Sequence, residues 1–383
     1  MLTVDTLRVA IVADLLEERW PSMDLVADML MSHIAPTSTV TPTLLRPAFT
    51  WPVFAVNGNG AAPPTIQRIA HRFWSYPRWL RQQTASDVYH IVDHSYAHLA
   101  HDLPEGKVVI TCHDTDAFHS LLQPSQRTSG LPLWLVKRIA GGLQRAAAVV
   151  CDSEATRAEL VESALVPVER TAVLPIGVHP QCTATQDRAA DAAAAELTGP
   201  CGSSELLHVG STIPRKRIDV LLETLAEVVK ARPDARLWRV GGPFTAEQTR
   251  RAADLGVHDR ITVMPFVSRM VLAALYRRAS LVLLPSEREG FGLPVVEAMA
   301  CGTPVLCSDL PVLREVGADA AEYCPVGQPH AWAARIHDLL HERETHPDRW
   351  RARQLAGISR AASFSWDRYA AEMQQVYSRV AAQ

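Results

Sequence analysis

Between Pro285 and Ser308 the chain reads Pro-Ser-Glu-Arg-Glu-Gly-Phe-Gly-Leu-Pro-Val-Val-Glu-Ala-Met-Ala-Cys-Gly-Thr-Pro-Val-Leu-Cys-Ser, directly after the apolar run Leu281-Val-Leu-Leu. This is the pattern of a strand, a glycine-bearing loop, a helix and a further strand. Gly290 and Gly292 let backbone amides come close to a ligand. Pro294 suits the first turn of a helix, whose free N–H groups attract anions. A diphosphate fits such a place. Glu289 lies before the helix and Glu297 within it, and an ionised carboxylate accepts paired hydrogen bonds from neighbouring hydroxyls, so a polyol beside a phosphate is the chemistry expected. The bland alternative is an ordinary strand-to-helix turn with two solvated glutamates. A second cluster, Arg215 and Lys216, follows the apolar run Leu206-Leu-His-Val-Gly210 and precedes a helix-like stretch from Ile218. Adjacent cations in a strand-to-helix loop suit a diphosphate, although they also occur as incidental charges at a solvated helix start.

The run Ser286 to Val305, with its glutamates separated by seven residues at Glu289 and Glu297, resembles the signature of the family 4 retaining glycosyltransferases, which have the GT-B fold. The resemblance implies that Glu289 and the amides of Gly290, Phe291, Gly292 and Leu293 hold the donor sugar and its phosphates, and that Glu297 binds the nucleotide ribose. The stretch His208 to Glu223 is similar to a second motif of the family, which implies a cationic clamp at Arg215 and Lys216 next to Gly210. The family often has Arg after that glycine, whereas this chain has Ser211. Val240-Gly241-Gly242 and Pro265-Phe266-Val267-Ser268 resemble the loops that frame the nucleobase, with Gly241 and Val267 as contact positions. Val109-Ile-Thr-Cys-His-Asp114 resembles a first-domain strand that presents a histidine, His113, across the cleft to the donor sugar. Ser363 to Tyr377 resembles the last helix of the fold, which returns toward the first domain, and its Trp366, Tyr369 and Tyr377 are expected to pack rather than to bind.

Other segments transfer less. Relatives often carry glycines after the first strand, where this chain has Val12-Ala-Asp-Leu-Leu-Glu-Glu-Arg-Trp20, so the role of that loop is not carried over. His90, His94 and His98 recur at intervals of four, but His90 sits in an apolar strand and the resemblance supplies no metal there, so no metal site is expected. His94 and Tyr96 read as acceptor-side residues. The run His71-Arg-Phe-Trp-Ser-Tyr-Pro-Arg-Trp-Leu-Arg81 mixes cations and aromatics in a way that could meet a membrane surface or a lipid-linked acceptor, or form a surface helix with one aromatic face.

The elements that must position these residues follow from hydrophobic patterning. Apolar, β-branched runs at Leu7 to Ala13, Val88 to Val92, Val108 to Thr111, Ala148 to Cys151 and Thr171 to Leu174 alternate with helix-like segments such as Leu133 to Arg145. After Ser204 the alternation restarts and continues to Ser308. Strands alternating with helices give mainly parallel sheets, so the fold class expected is α/β, with two Rossmann-like domains facing across a cleft. The boundaries read are an acceptor-side domain over 1–180, a linker or exposed excursion over 181–204, a nucleotide-sugar-binding domain over 205–365 and a returning helix over 366–383. At 383 residues the chain is long enough for two domains. Its 38 basic and 41 acidic residues nearly cancel, which excludes a nucleic-acid footprint. Seven scattered cysteines without a CxxC pair fit reduced thiols and a cytoplasmic location. Met1 to Ala13 lacks the pattern of a signal peptide.

These readings converge on transfer of a hexosyl group from a nucleoside diphosphate sugar, of the GDP-mannose or UDP-glucose type, to an acceptor hydroxyl. The resemblance implies retention of configuration and neither cofactor nor metal; the acceptor is left open, with a glycan or a lipid-linked molecule as the options. The alternatives are a noncatalytic nucleotide-sugar-binding subunit and a nucleotide-sugar epimerase of the same fold.

Overall fold

The computed structural model describes residues 6–18, 21–34, 39–49, 65–118, 121, 132–200, 202 and 204–383. Met1 to Asp5, Arg19, Trp20 and Cys201, all used in the sequence reading, lie outside the described residues. The chain forms two compact units, Met1–Gly177 with Trp366–Gln383, and Val178–Ser365.

The first unit is built on six parallel strands, β1 (Leu7–Val12), β2 (Val40–Leu45), β3 (Val88–Ile91), β4 (Val108–Cys112), β5 (Ala148–Cys151) and β6 (Thr171–Val173), in the order β2-β1-β3-β4-β5-β6. The central strands are short apolar runs buried along their whole length, as expected when both faces of a parallel sheet are covered. Patterning alone misses β2, because Pro42 interrupts its Val-Thr-Pro-Thr-Leu-Leu run. The strand lies at the sheet edge, where a missing N–H is tolerated. A continuous helical stretch, Thr65–Leu80, widens into π-helical turns over His71–Ser75.

The C-terminal helix Trp366–Ala381 packs within this unit, and its Trp366, Tyr369 and Tyr377 are buried. Tyr377 Oη lies 2.7 Å from His90 Nδ1, while His90 Nε2 lies 2.7 Å from Thr111 Oγ1. Burial, with a smaller contribution from His113, pushes the His90 pKa down to about 3, so the imidazole is neutral and its two nitrogens are satisfied by hydroxyls.

The second unit repeats the plan with β7 (Glu205–Val209), β8 (Arg236–Val240), β9 (Ile261–Met264), β10 (Leu281–Leu284), β11 (Val305–Ser308) and β12 (Glu322–Cys324), all parallel in the order β12-β11-β10-β7-β8-β9. Sequence-adjacent strands run outward from β7 to β9. The chain then returns to β10 on the other side of β7, so the direction of winding reverses between β7 and β10. Ligands of such sheets bind beyond the carboxyl ends of the strands at this reversal. The stretch 181–204 contains a helix, Arg188–Thr198, capped by Asp187 and held to the second unit by the Asp191–Arg277 ion pair at 2.7 Å.

Tyr377→Phe leaves the buried His90 Nδ1 without its hydroxyl partner, which costs about 1–3 kcal/mol. Chemical denaturation should show a lowered midpoint with native circular dichroism retained. An unchanged midpoint would remove this contact from the forces that dock the last helix.

Candidate functional site

At the reversal between β7 and β10 the loops of both strands carry the charged residues singled out by sequence. After β7, a tight turn at Pro214–Lys216 is followed by Arg217 in a left-handed conformation, φ 49°, which starts the helix Ile218–Ala231. After β10, the loop runs through Glu289 to Gly292 and starts the helix Leu293–Ala300 with Pro294 in its first turn. Gly292 has φ 93°, a conformation that L side chains rarely adopt, and a Cβ there would lie 2.6 Å from Leu313 Cδ2.

The two loops are tied by charge. Lys216 Nζ donates to Glu289 Oε1 at 2.5 Å, and Arg215 Nη1 donates to Glu289 Oε2 at 3.2 Å and to the Arg288 carbonyl at 2.9 Å. The Glu287 N–H donates to the Arg215 carbonyl at 2.9 Å. The Glu289 side chain is only 6% exposed. Burial alone would raise its pKa, but Lys216 and Arg215 outweigh that and hold it below the usual carboxylate range. Glu289 is therefore ionised, and together with Arg215 and Lys216 it forms one charged cluster at the helix start.

Glu297 makes its contacts elsewhere. It is buried, accepts a hydrogen bond from Tyr276 Oη at 2.9 Å, and lies 3.6 Å from Arg269 Nη1. Burial raises its pKa, with Arg269 and Tyr276 opposing. Phe291 turns its ring inward, edge-on to Phe364 at 5.5 Å, so its backbone rather than its side chain faces the loop. Gly210 and Gly241 abut each other at the ends of β7 and β8, and Val267 sits in the loop after β9 beside the exposed Phe266. Sequence reasoning missed Tyr276, Arg269 and Arg239. Tyr276 lies in Leu275-Tyr-Arg-Arg278, and nothing in that run distinguishes it from a core tyrosine.

In the first unit the winding reverses between β1 and β3, and the loops there are again polar. Asp14 follows β1 and faces Asp93 after β3. Burial and the Asp93 charge push Asp14 well above the usual carboxylate range. His94 lies 3.3 Å from Asp114, and the Tyr96 ring carries the Arg72 guanidinium 4.2 Å from its centroid. His113, at the end of β4, is buried with both ring nitrogens engaged, Nδ1 at 2.6 Å from Asp152 Oδ2 and Nε2 at 2.7 Å from the Val92 carbonyl. Two acceptors on one imidazole favour its doubly protonated form. Burial opposes the charge, but the Asp152 ion pair and hydrogen bond, Asp93 and the Val92 carbonyl together raise the pKa to about 9. Among the described residues no group of three or more His, Cys, Asp or Glu side chains is arranged to hold a metal. No helix among them is long and apolar enough to cross a membrane.

Because the His113 pKa is raised on folding from 6.5 to about 9, its contribution to stability is complete below about pH 6.5 and is lost as pH rises through about 9. The stability difference between wild type and His113→Gln should therefore shrink from pH 6 to pH 10 in urea titrations. A difference that stays constant over that range would contradict the charged imidazole.

The sequence of the second unit matches the family model of the glycosyl transferases group 1 over residues 195–354, and that of the first matches glycosyltransferase family 4 over residues 39–181. The chain is 34% identical over 226 residues to the D-inositol 3-phosphate glycosyltransferase of Segniliparus rotundus, covering 57% of this chain and 49% of that protein. It thus spans about half the length of the curated relatives it matches. Among solved structures it is similar to the sucrose-phosphate synthase of Thermosynechococcus elongatus (TM-score 0.74, 18% identity, 98% of this chain and 99% of that one). It is also similar to Anabaena Alr3699/HepE in complex with UDP and glucose (TM-score 0.73, 15% identity, 97% and 100%). The chain is a GT-B-fold protein related to the group 1 and family 4 glycosyltransferases.

Proposed function

We propose that this protein transfers a hexosyl group, with retention, from a nucleoside diphosphate sugar bound to the second unit to a hydroxyl acceptor. The observation that carries this reading is the convergence of Arg215, Lys216 and Glu289 on the start of the helix Leu293–Ala300, at the point where the winding of the sheet reverses. A diphosphate accepts from the two cations and from backbone amides of the loop Gly290, Phe291, Gly292 and Leu293 at the helix start. The sugar hydroxyls then share the ionised Glu289. Glu297 takes the ribose hydroxyls, with Tyr276 holding its carboxylate in place.

In the transfer step a bond forms between the acceptor oxygen and the anomeric carbon while the bond from that carbon to the diphosphate breaks, and the acceptor proton passes to the leaving phosphate. Negative charge grows on the diphosphate during this step, so fixed cations and oriented amides stabilise the transition state more than the ground state. These groups supply the counter-charge, and on this reading the reaction needs neither a divalent ion nor a cofactor. A sugar hydroxyl that reaches His113 Nε2 has to displace the Val92 carbonyl. His113 acts in this reading as a sugar-side positioning residue. UDP-glucose and GDP-mannose are the first donors to test, and D-inositol 3-phosphate is the first acceptor, since curated relatives carry that name.

Glu297→Ala should weaken the free nucleoside diphosphate in calorimetry, whereas Glu289→Ala and His113→Ala should leave its affinity within a few-fold. Both of the latter should slow single-turnover transfer by around a hundredfold, the scale of a positioning error. Wild-type transfer from saturating donor by either variant would remove that residue from the site. Transfer should also survive EDTA, and a loss restored by one divalent ion would contradict the cationic-clamp mechanism.

A further inference from the structure

Arg239 lies on β8, two strands across from the charged loop of β10, and is fully buried. Its Nη2 donates to the Gly210 carbonyl at 3.0 Å and its Nη1 to the Gly242 carbonyl, while its guanidinium carbon lies 5.1 Å from the centroid of the Phe244 ring. Its partners among the described residues are thus backbone carbonyls and an aromatic face, with no carboxylate. Burial pulls its pKa down to about 10, which still leaves it charged at neutral pH.

It joins the loop after Gly210, which leads into Arg215 and Lys216 of the proposed diphosphate site, to the Gly241 loop read as framing the nucleobase. Gly241 has φ 125°, and a Cβ there would lie 2.0 Å from the Gly210 oxygen, so only glycine permits the contact. The Gly210 N–H donates to the Val240 carbonyl at 2.9 Å. On the other side of Gly210 a Cβ would meet His208 Cε1 at 3.3 Å and Lys216 Cδ at 3.8 Å. His208 is fully buried, with neither ring nitrogen hydrogen-bonded. Burial, Arg239 and Lys216 drive its pKa to about 3, so it adds no charge. Arg217 is answered by Asp219 and Glu287. Arg215 and Lys216 share the Glu289 carboxylate, and Arg239, bonded to the Gly210 carbonyl, adds a buried charge that no carboxylate among the described residues meets.

A buried charge without an opposite partner is unfavourable, and a well-packed apolar residue in its place is often neutral or stabilising. The local excess of positive charge is suited to an anion. We infer that Arg239 is a positioning residue for the donor diphosphate, clasping the Gly210 and Gly241 loops from beneath and supplying a buried charge that the bound diphosphate compensates. This inference rests on the donor-site reading above.

The test is calorimetry of the full chain with inorganic pyrophosphate, UDP, GDP and the free nucleosides, on wild type, Arg239→Gln and Arg239→Lys. R239Q should bind pyrophosphate, and whichever nucleoside diphosphate the wild type prefers, about tenfold more weakly, a loss of about 1.4 kcal/mol. Its affinity for the nucleoside should change less than about twofold, and R239K should recover most of the diphosphate affinity even where its melting temperature falls. Equal losses for nucleoside and diphosphate would make Arg239 a scaffold residue only and overturn the inference, as would unchanged pyrophosphate affinity in R239Q. If R239Q does not fold, folded R239K that has lost pyrophosphate binding overturns it equally. A wild type that binds pyrophosphate but neither UDP nor GDP sinks the donor-site reading, while Arg239 is still judged by the pyrophosphate ratio. A wild type that does not bind pyrophosphate overturns the inference itself.

Discussion

The ion cluster at Glu289 is the constraint on which the second unit's site depends. Parallel strands β7 and β10 are neighbours in the sheet; one backbone bond, from the Glu287 N–H to the Arg215 carbonyl, links the loops that follow them, and charged side chains complete the join. One ionised carboxylate, gripped by Lys216 and Arg215, makes that join. Burying it alone would be unfavourable by several kcal/mol, and the two cations alone would repel one another. The mutual attraction of the three groups offsets both costs. On the proposed reading, a diphosphate would meet cations already positioned, the preorganisation that electrostatic catalysis requires.

The histidines of the first unit show how strongly local partners decide chemistry. His90, His98 and His113 are all buried, yet His90 and His98 are pushed to about pKa 3 and His113 to about 9. Burial disfavours the imidazolium in every case. The difference is that His90 meets hydroxyls and His98 a backbone carbonyl near the cation Arg72, whereas His113 meets the carboxylate of Asp152 with Asp93 nearby. The recurrence of histidines at intervals of four thus reflects separate hydrogen-bonding duties.

Much of the architecture is legible from residues because its strands are buried on both faces and appear as short apolar runs. The glycine loop after β10 is legible for another reason, since Gly292, at φ 93°, and Pro294, in the first helical turn, encode backbone conformation directly. What escapes the sequence is mostly long-range. Nothing around Asp152 marks it as the partner of His113, and Tyr276 reaches Glu297 only because two helices pack together. Arg239 sits in a strand that reads Arg-Leu-Trp-Arg-Val, and its contacts with the Gly210 carbonyl and the Phe244 ring arise from packing that the run itself does not show. The edge strand β2 is missed because Pro42 breaks its pattern, and the alanine-rich run 189–195, which the sequence leaves open between helix and linker, lies in the helix Arg188–Thr198.

Amide hydrogen exchange of the full chain, with and without UDP or GDP, tests the central claim most directly, because it reads where the nucleotide acts without altering any side chain. The account requires protection over Gly210 to Arg217 and over Glu289 to Val295, the two loops joined through Glu289. Protection confined to the loops after β1 and β3, around Asp14 and Asp93, with no change at Glu289, would contradict it.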